Sequence, residues 1–287
     1  MESRPASDLS VAELADLFNK SFEDYMGAPA GINFTAESLS DFISLSYISI
    51  PHSHVFYMSE RPSEPIGSAF IGIRPDKPTE VRLVSMGIFK ASRGKGAGSK
   101  VLQLILEAER ARGTQTVGLE CIQQNAAGVR MYTAAGFSIV RELLGWERDA
   151  PREGEFAANP GLRPCSIGEV DVLVKTHGAA DLPWQAWAFD TSTVKNRAFR
   201  LGDAYCVVSD PDDKESDMIK LVSFIVDPQS RKKGEADRLI TAMLGEFPAK
   251  KWLVRPIFPK EYGESFAGRF GFVEMSLTQY QMEFKIV

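Results

Sequence analysis

The sequence predicts an α/β chain made of two tandem domains on one plan, each a mixed sheet covered on both faces by helices. Three observations carry this. The 287 residues amount to about two domains at roughly 150 residues each. Sliding the sequence by 138 residues aligns Leu83–Gly98 with Leu221–Ala236 at seven identities in sixteen positions, where ordinary composition gives about one. Finally, apolar periodicity in the first half reads as the order ααβββαβαβ, and most of that order returns in the second.

The elements follow in turn. Ser10-Val11-Ala12-Glu13 has the form of a capping box, and Val11, Leu14, Ala15, Phe18 and Phe22 recur at helical spacing, so the first helix starts there. A second helix follows Thr35, with Leu39, Phe42 and Ile43 turned inward. Strand-like runs come at 54–59, 66–73 and 80–89, then a helix over 95–112, a strand at 116–122, a helix over 125–135 and a strand at 137–147. In the second half the same reading gives helices at 166–178, 232–246 and 261–269 and strands at 203–209, 218–227, 251–258 and 272–284. The acidic run 210–217 reads as a solvated hairpin connection. A Gly-Phe pair closes each half, at Gly136-Phe137 and Gly271-Phe272, lying 43 and 40 residues beyond Arg93 and Arg231. A polar stretch with Pro and Gly, 149–161, serves as linker, which sets the domains at 1–150 and 160–287.

Composition narrows the function. Hydrophobic residues at 44 % and charged residues at 25 % are ordinary for a globular chain, and no apolar run is long enough for a bilayer. The first ten residues resemble neither a secretory signal nor a transit peptide, so the expected address is cytoplasmic. The net charge of -5 is shared evenly, and neither half is basic enough for a nucleic-acid footprint. Cys121, Cys165 and Cys206 are three in number and widely spaced, so they are expected to be reduced thiols, mostly buried; no metal site is expected.

One turn carries chemistry. Arg93-Gly94-Lys95-Gly96-Ala97-Gly98-Ser99 lies between an apolar strand and an apolar-periodic helix. Glycines bring the backbone close to a ligand, and the amides of a helix start form an anion site, to which Arg93 and Lys95 add charge. The turn has the form of neither a Walker A loop nor a dinucleotide fingerprint.

That R-x-x-G-x-G turn, followed by Leu119-Glu120-Cys121-Ile122-Gln123-Gln124-Asn125, Tyr132 and Gly136-Phe137 in order, resembles the GCN5-related N-acetyltransferase (GNAT) superfamily over residues 80–150. The second half resembles a diverged copy, so the chain is similar to tandem GNAT proteins. The resemblance implies a mostly antiparallel mixed sheet in each domain and acetyl-CoA as co-substrate, without a metal. Residues 93–99 would then hold the pyrophosphate. Main-chain groups of Met86, Gly87 and Ile88 would hold the pantetheine arm together with Asn125, and the Ile88 amide would face the thioester oxygen where the neighbouring strands splay. Glu120 would accept the proton of the amine, and Tyr132 would give one to the departing thiolate. For Glu120 the alternative is a surface charge or structural acceptor; for Tyr132 it is core packing. His52 and His54 are distant rivals as base. Tyr25 and Met26, in the loop 22–34, would line the acceptor pocket.

The second half departs from that pattern. Ala267 stands where Tyr132 would be matched and Lys260 where Asn125 would be, and Pro256 and Pro259 interrupt the approach to the helix. It reads as a degenerate domain that completes the cleft or replaces a dimer partner, with Trp184 and Trp187 either lining that cleft or packed. The expected function is acetyl transfer to a primary amine of a small molecule or peptide in a ternary complex, by a monomer or homodimer. The alternatives are a non-catalytic acyl-CoA-binding or sensing module, an interaction scaffold, or a relative with another acyl donor or an oxygen acceptor.

Overall fold

The structure, a computed structural model, describes residues 1–28, 31–94, 96–178, 182–186 and 195–286, with backbone alone at 264–266. In chain order its strands and helices are β1 (Glu2–Pro5), α1 (Val11–Ser21), α2 (Ala36–Leu45), β2 (His54–Met58), β3 (Arg61–Ile73), β4 (Glu80–Ile88), α3 (Ala97–Arg112), β5 (Thr116–Ile122), α4 (Ala126–Ala134) and β6 (Ser138–Arg148). There follow β7 (Arg163–Cys165), α5 (Ile167–His177), β8 (Asn196–Leu201), β9 (Ala204–Ser209), β10 (Met218–Val226), α6 (Glu235–Glu246), β11 (Lys251–Pro259), α7 (Lys260–Ala267), β12 (Val273–Glu274) and β13 (Gln279–Lys285).

The chain forms two compact units. The first holds Met1–Arg141 together with Tyr280–Val287, and the second holds Glu142–Gln279. This differs from a linear division at 1–150 and 160–287. The physical reason is that β6 starts in the first unit and ends in the second, whereas the last strand of the chain belongs to the first. The 272–284 run is accordingly two strands, with irregular chain between them. Three short strands, β1, β7 and β8, were not legible. β1 carries one proline and two charges in four residues, and only its pairing of Glu2–Pro5 with His54–Tyr57 makes it a strand.

In the first unit β1 to β4 are antiparallel in sequence order and β4 pairs parallel with β5. One face packs on α3 through Ala69, Leu83, Val101, Leu102, Ile105, Val117 and Leu119. Met282 of β13 is fully buried in this same core, and Phe284 meets Phe137 at 5.4 Å. The other face packs on α1 and α2 through Leu14, Phe18, Leu39, Val55 and Phe70. α1 begins as expected, with Ser10 and Glu13 capping one another, and Thr35 and Ser38 do the same for α2. In the second unit β9 to β11 pack on α6 through Cys206, Val208, Leu221, Leu239, Met243 and Trp252. Here β9 and β10 flank the 210–217 hairpin, and β10 pairs parallel with β11. Cys121 and Cys206 are buried and Cys165 is half-buried; all three are free.

Candidate active site

The site grows from a defect in the first sheet. Phe70 pairs with Ser85 and Ile71 with Leu83, so Val84 is an extra residue and β4 bulges there. On its other side β4 pairs with β5 only over Glu80–Arg82 and Thr116–Gly118. Past Arg82, then, β4 stays with β3 while β5 diverges, and a wedge opens between the two parallel strands. Phe89 N–H donates to Ile66 O at 2.8 Å, so Phe89 faces β3. Main-chain groups alternate sides along a strand, so those of Ile88 and Met86 face the wedge and those of Gly87 face Ser68 of β3. The three expected main-chain contacts therefore reduce to two. Gly87 has a different use: a Cβ there would meet Ser21 Cβ at 2.6 Å and the Phe22 ring at 2.9 Å, so its bareness seats the end of α1 on the sheet.

The turn before α3 is open. Gly94 and Gly96 sit at φ +81° and +76°, and a Cβ at either would meet nothing within 4 Å. Ala97 N–H is taken by Gly94 O and the first α-helical bond is Lys100 N–H to Gly96 O, which leaves the Gly98 and Ser99 amides at the helix end. The helix has no side-chain cap and no acid in its first turn. Such a helix start has the amides and the dipole that suit an anion. Gly98 lies against Met131 of α4, with its Cβ position 2.8 Å from the sulfur, and Ser99 is exposed. Lys95 lies outside the described residues.

Arg93 has partners of another kind. Its Nη1 and Nη2 donate to Asp24 Oδ2 and Oδ1, both at 2.7 Å, its Nε to Ile88 O at 2.8 Å and Nη2 also to Ser21 O at 3.2 Å. The guanidinium beside Asp24 holds that carboxyl below its ordinary value, chiefly by hydrogen bonding. The second unit repeats this arrangement. Arg231 Nε donates to Val226 O at 3.1 Å and Nη2 to His177 O at 2.7 Å, again a strand end and the end of the preceding helix. The duplicated arginine is thus a duplicated clamp, and the charge that Arg93 adds to the turn is already engaged by Asp24.

Three groups meet across β5. Tyr132, half-buried on α4 and edge-on to Phe137 at 5.6 Å, has its hydroxyl pushed above the ordinary range by burial, with the Cys121 thiol and Tyr25 adding to the shift. Tyr25 is likewise raised, by burial first, with Cys121 and Glu120 adding and Arg82 opposing. Burial moves the Cys121 thiol to about 11, which makes it a poor nucleophile at neutral pH. Glu120 is deeply buried on the opposite face of β5 from Cys121, and its Oε2 accepts from Arg82 Nε at 2.6 Å. Asn125 caps α4, its Oδ1 accepting from Gly128 N–H at 3.0 Å, so that oxygen is already committed. Met26 is 45 % exposed.

The other candidates stand apart. His52 and His54 flank the start of β2, bonded to Ser49 and Ser3 at 2.7 and 2.8 Å, two strands from β4. Trp184 is half-buried in a short turn of the second unit, and Trp187 lies outside the described residues. In the second unit the turn differs in charge and not in space: Gly234 caps α6 at φ +79° with nothing within 4 Å of a Cβ there, but Glu235 and Asp237 stand in the first turn. Glu235 pairs with Arg238 through one oxygen, while its other oxygen is buried without a partner among the described residues. Ala267 is a core residue and Lys260 pairs with Glu142 at 3.6 Å. Among the described residues there is no group of three or more His, Cys, Asp or Glu side chains placed to hold a metal, and no helix long and apolar enough to cross a membrane. Sequence reasoning missed Arg82, Asp24 and the placement of Cys121. Arg82 did leave a signal, as the one charge inside the run Val81-Arg82-Leu83-Val84.

The chain is similar to known proteins in family profile and in fold. The Acetyltransferase (GNAT) family profile matches residues 12–137. The uncharacterized N-acetyltransferase YycN of Bacillus subtilis is 25 % identical over 88 residues, 30 % of this chain and 56 % of that protein, so the match spans about half of the relative's length. A GCN5-related N-acetyltransferase from Sphaerobacter thermophilus superposes with a TM-score of 0.64 at 13 % identity, covering 99 % of this chain and 95 % of the other. A tandem GNAT protein from the clavulanic acid biosynthesis pathway superposes with a TM-score of 0.61 at 13 % identity, covering 99 % and 97 %. At that identity the likeness is one of fold.

Proposed function

We propose that this chain is a tandem GNAT protein whose first unit, over which the acetyltransferase family profile matches residues 12–137, is an acetyl-CoA-dependent N-acetyltransferase acting on a primary amine of a small molecule or peptide. The observation that carries this reading is the uncapped start of α3 at the edge of the β4–β5 wedge, into which the Ile88 amide faces. The amides of Gly98 and Ser99, with the empty space at Gly94 and Gly96, suit the pyrophosphate of the co-substrate, and the outward main chain of Met86 and Ile88 suits its pantetheine arm. Bound there, acetyl-CoA supplies an acetyl group on a thioester whose sulfur is a good leaving group.

The residues of the chain do the rest. The Ile88 amide belongs to the Gly87–Ile88 peptide, whose carbonyl faces Ser68 of β3, and Arg93 holds the Ile88 carbonyl just beyond it, so this amide is a preorganised donor for the oxygen that gathers charge, an effect of about 3 kcal/mol. Glu120, fixed through Oε2 by Arg82, accepts a proton from the ammonium of the acceptor, and the amine nitrogen then forms the new C–N bond as the C–S bond breaks toward sulfur. Tyr132 gives its proton to that sulfur and recovers one from the second proton of the nitrogen. A tyrosine raised by burial is protonated throughout the physiological range, as this step requires. The second unit is read as catalytically silent, because Glu235 and Asp237 put negative charge in the helix start where α3 has none and Ala267 replaces the phenol. A cytoplasmic, metal-free enzyme is part of the same reading.

The test is acetyl-CoA-dependent thiol release over a panel of amines. Turnover that falls on Tyr132→Phe with unchanged acetyl-CoA affinity supports the assignment, and acetyl-CoA binding without turnover of any amine favours the sensing module.

A further inference from the structure

Arg82 is the last residue of the β4–β5 ladder, paired with Gly118 where the wedge begins. Val81 and Leu83 face the α3 core, so Arg82 faces the α1–α2 side, as Glu120 does between Leu119 and Cys121. Its side chain is 8 % exposed, yet one donor alone has a hydrogen-bond acceptor among the described residues, Nε to Glu120 Oε2. The four N–H groups on Nη1 and Nη2 have none. These nitrogens are not among the fully buried atoms without a partner, so the little surface Arg82 keeps includes its idle donors, and such donors beside an opening invite an acceptor. Ser85, on the same face past the bulge, adds a buried hydroxyl without a partner among the described residues. The second unit lacks the feature: Lys220, which matches Arg82 at the 138-residue offset, is exposed.

We infer that the Nη edge of Arg82 is a carboxylate-binding subsite, so that the acceptor is an amine bearing a carboxylate, an α-amino acid or close analogue. This rests on the acetyltransferase reading above. Two parallel N–H groups match the two oxygens of a planar carboxylate. Charge selects the class further. Arg82 and Glu120 already balance, so a lone anion adds an unbalanced buried charge and a phosphate adds more. A zwitterion adds both signs, its carboxylate on Arg82 and its ammonium toward Glu120. Arg82 thereby delivers the amine to the group that takes its proton.

The experiment compares the twenty amino acids with their α-amides as acceptors in wild type, Arg82→Lys and Arg82→Met, following release of the CoA thiol, with acetyl-CoA calorimetry on each protein as the check of folding. The expected result is that at least one amino acid outruns its own amide about tenfold to a hundredfold in kcat/KM, and that Arg82→Lys, which keeps the charge beside Glu120 and loses the fork, cuts the preference below about threefold. Amides that match their acids in wild type overturn the inference and leave the transferase reading intact. So does a preference that survives Arg82→Lys, or acetyl-CoA binding with turnover of neutral amines only. A wild-type protein that does not bind acetyl-CoA overturns the transferase reading and this inference with it.

Discussion

Replacing Arg93 with Met separates two roles that sequence alone does not distinguish. As a clamp, the guanidinium donates to Ile88 O and Ser21 O, tying the end of β4 to the end of α1, and to Asp24 beyond. The side chain is 40 % exposed, so each carbonyl bond is counted at about 1 kcal/mol, below the value for a buried charged donor. The expected loss is about 2 kcal/mol, or a fall in Tm of roughly 4–8 °C for a unit of this size. Arg231→Met removes the matching bonds to Val226 O and His177 O and should cost a similar amount. Acetyl-CoA affinity should stay within about threefold in both variants once the fold is saturated with ligand. The assay is a thermal melt paired with acetyl-CoA calorimetry. A melt unchanged in Arg93→Met, with affinity down tenfold or more, would refute the clamp and return Arg93 to the pyrophosphate.

Other consequences are as direct. Tyr132→Phe should lower kcat by about 10²–10⁴ with acetyl-CoA affinity unchanged, and in wild type kcat should not fall on the alkaline side below pH 10, because burial raises this phenol; a full kcat in the variant removes the acid role. Glu120→Gln should lower kcat/KM at neutral pH by about 10²–10³ and recover as pH approaches the amine pKa near ~10, where the acceptor sheds its own proton; a pH-independent loss makes Glu120 structural. Asp24 has a folded pKa below its ordinary 3.8, so its contribution to stability is present above that value and lost as pH falls through the folded pKa. Acid unfolding below pH 4 should therefore be shallower in Arg93→Met, and an identical acid profile would dissolve the pair. A fragment of residues 1–150 lacks Met282 and Phe284 from the core of the first unit and should show no cooperative melt; a sharp transition would make β13 dispensable.

What could be read in the sequence was what local chemistry determines. Ser10 and Glu13 announce the start of α1, Gly96 the start of α3, and the Leu-Val-Ser repeat the second copy of β4, because capping, positive φ and apolar period are properties of a few adjacent residues. The destination of the last strand was not legible, since Gln279–Lys285 reads as a strand whichever core Met282 fills. The arginine of the turn was recognised but its partners were not, because they are Asp24, 69 residues away, and backbone carbonyls 72 and 5 residues away, which leave no trace in local pattern. Asn125 shows the same limit: the residue that caps α4 and the residue expected to touch a cofactor are one, and only geometry shows that its oxygen is taken.

Acetyl-CoA calorimetry on wild type, Gly96→Glu and Gly234→Glu tests the central claim most directly. The two glycines form a matched pair, both helix caps at φ +76° and +79° with empty space where a Cβ would sit, so backbone strain is the same in each variant. The account predicts one site per chain in wild type, abolished in Gly96→Glu and kept in Gly234→Glu. No binding in wild type, two sites per chain, or loss confined to Gly234→Glu would contradict it.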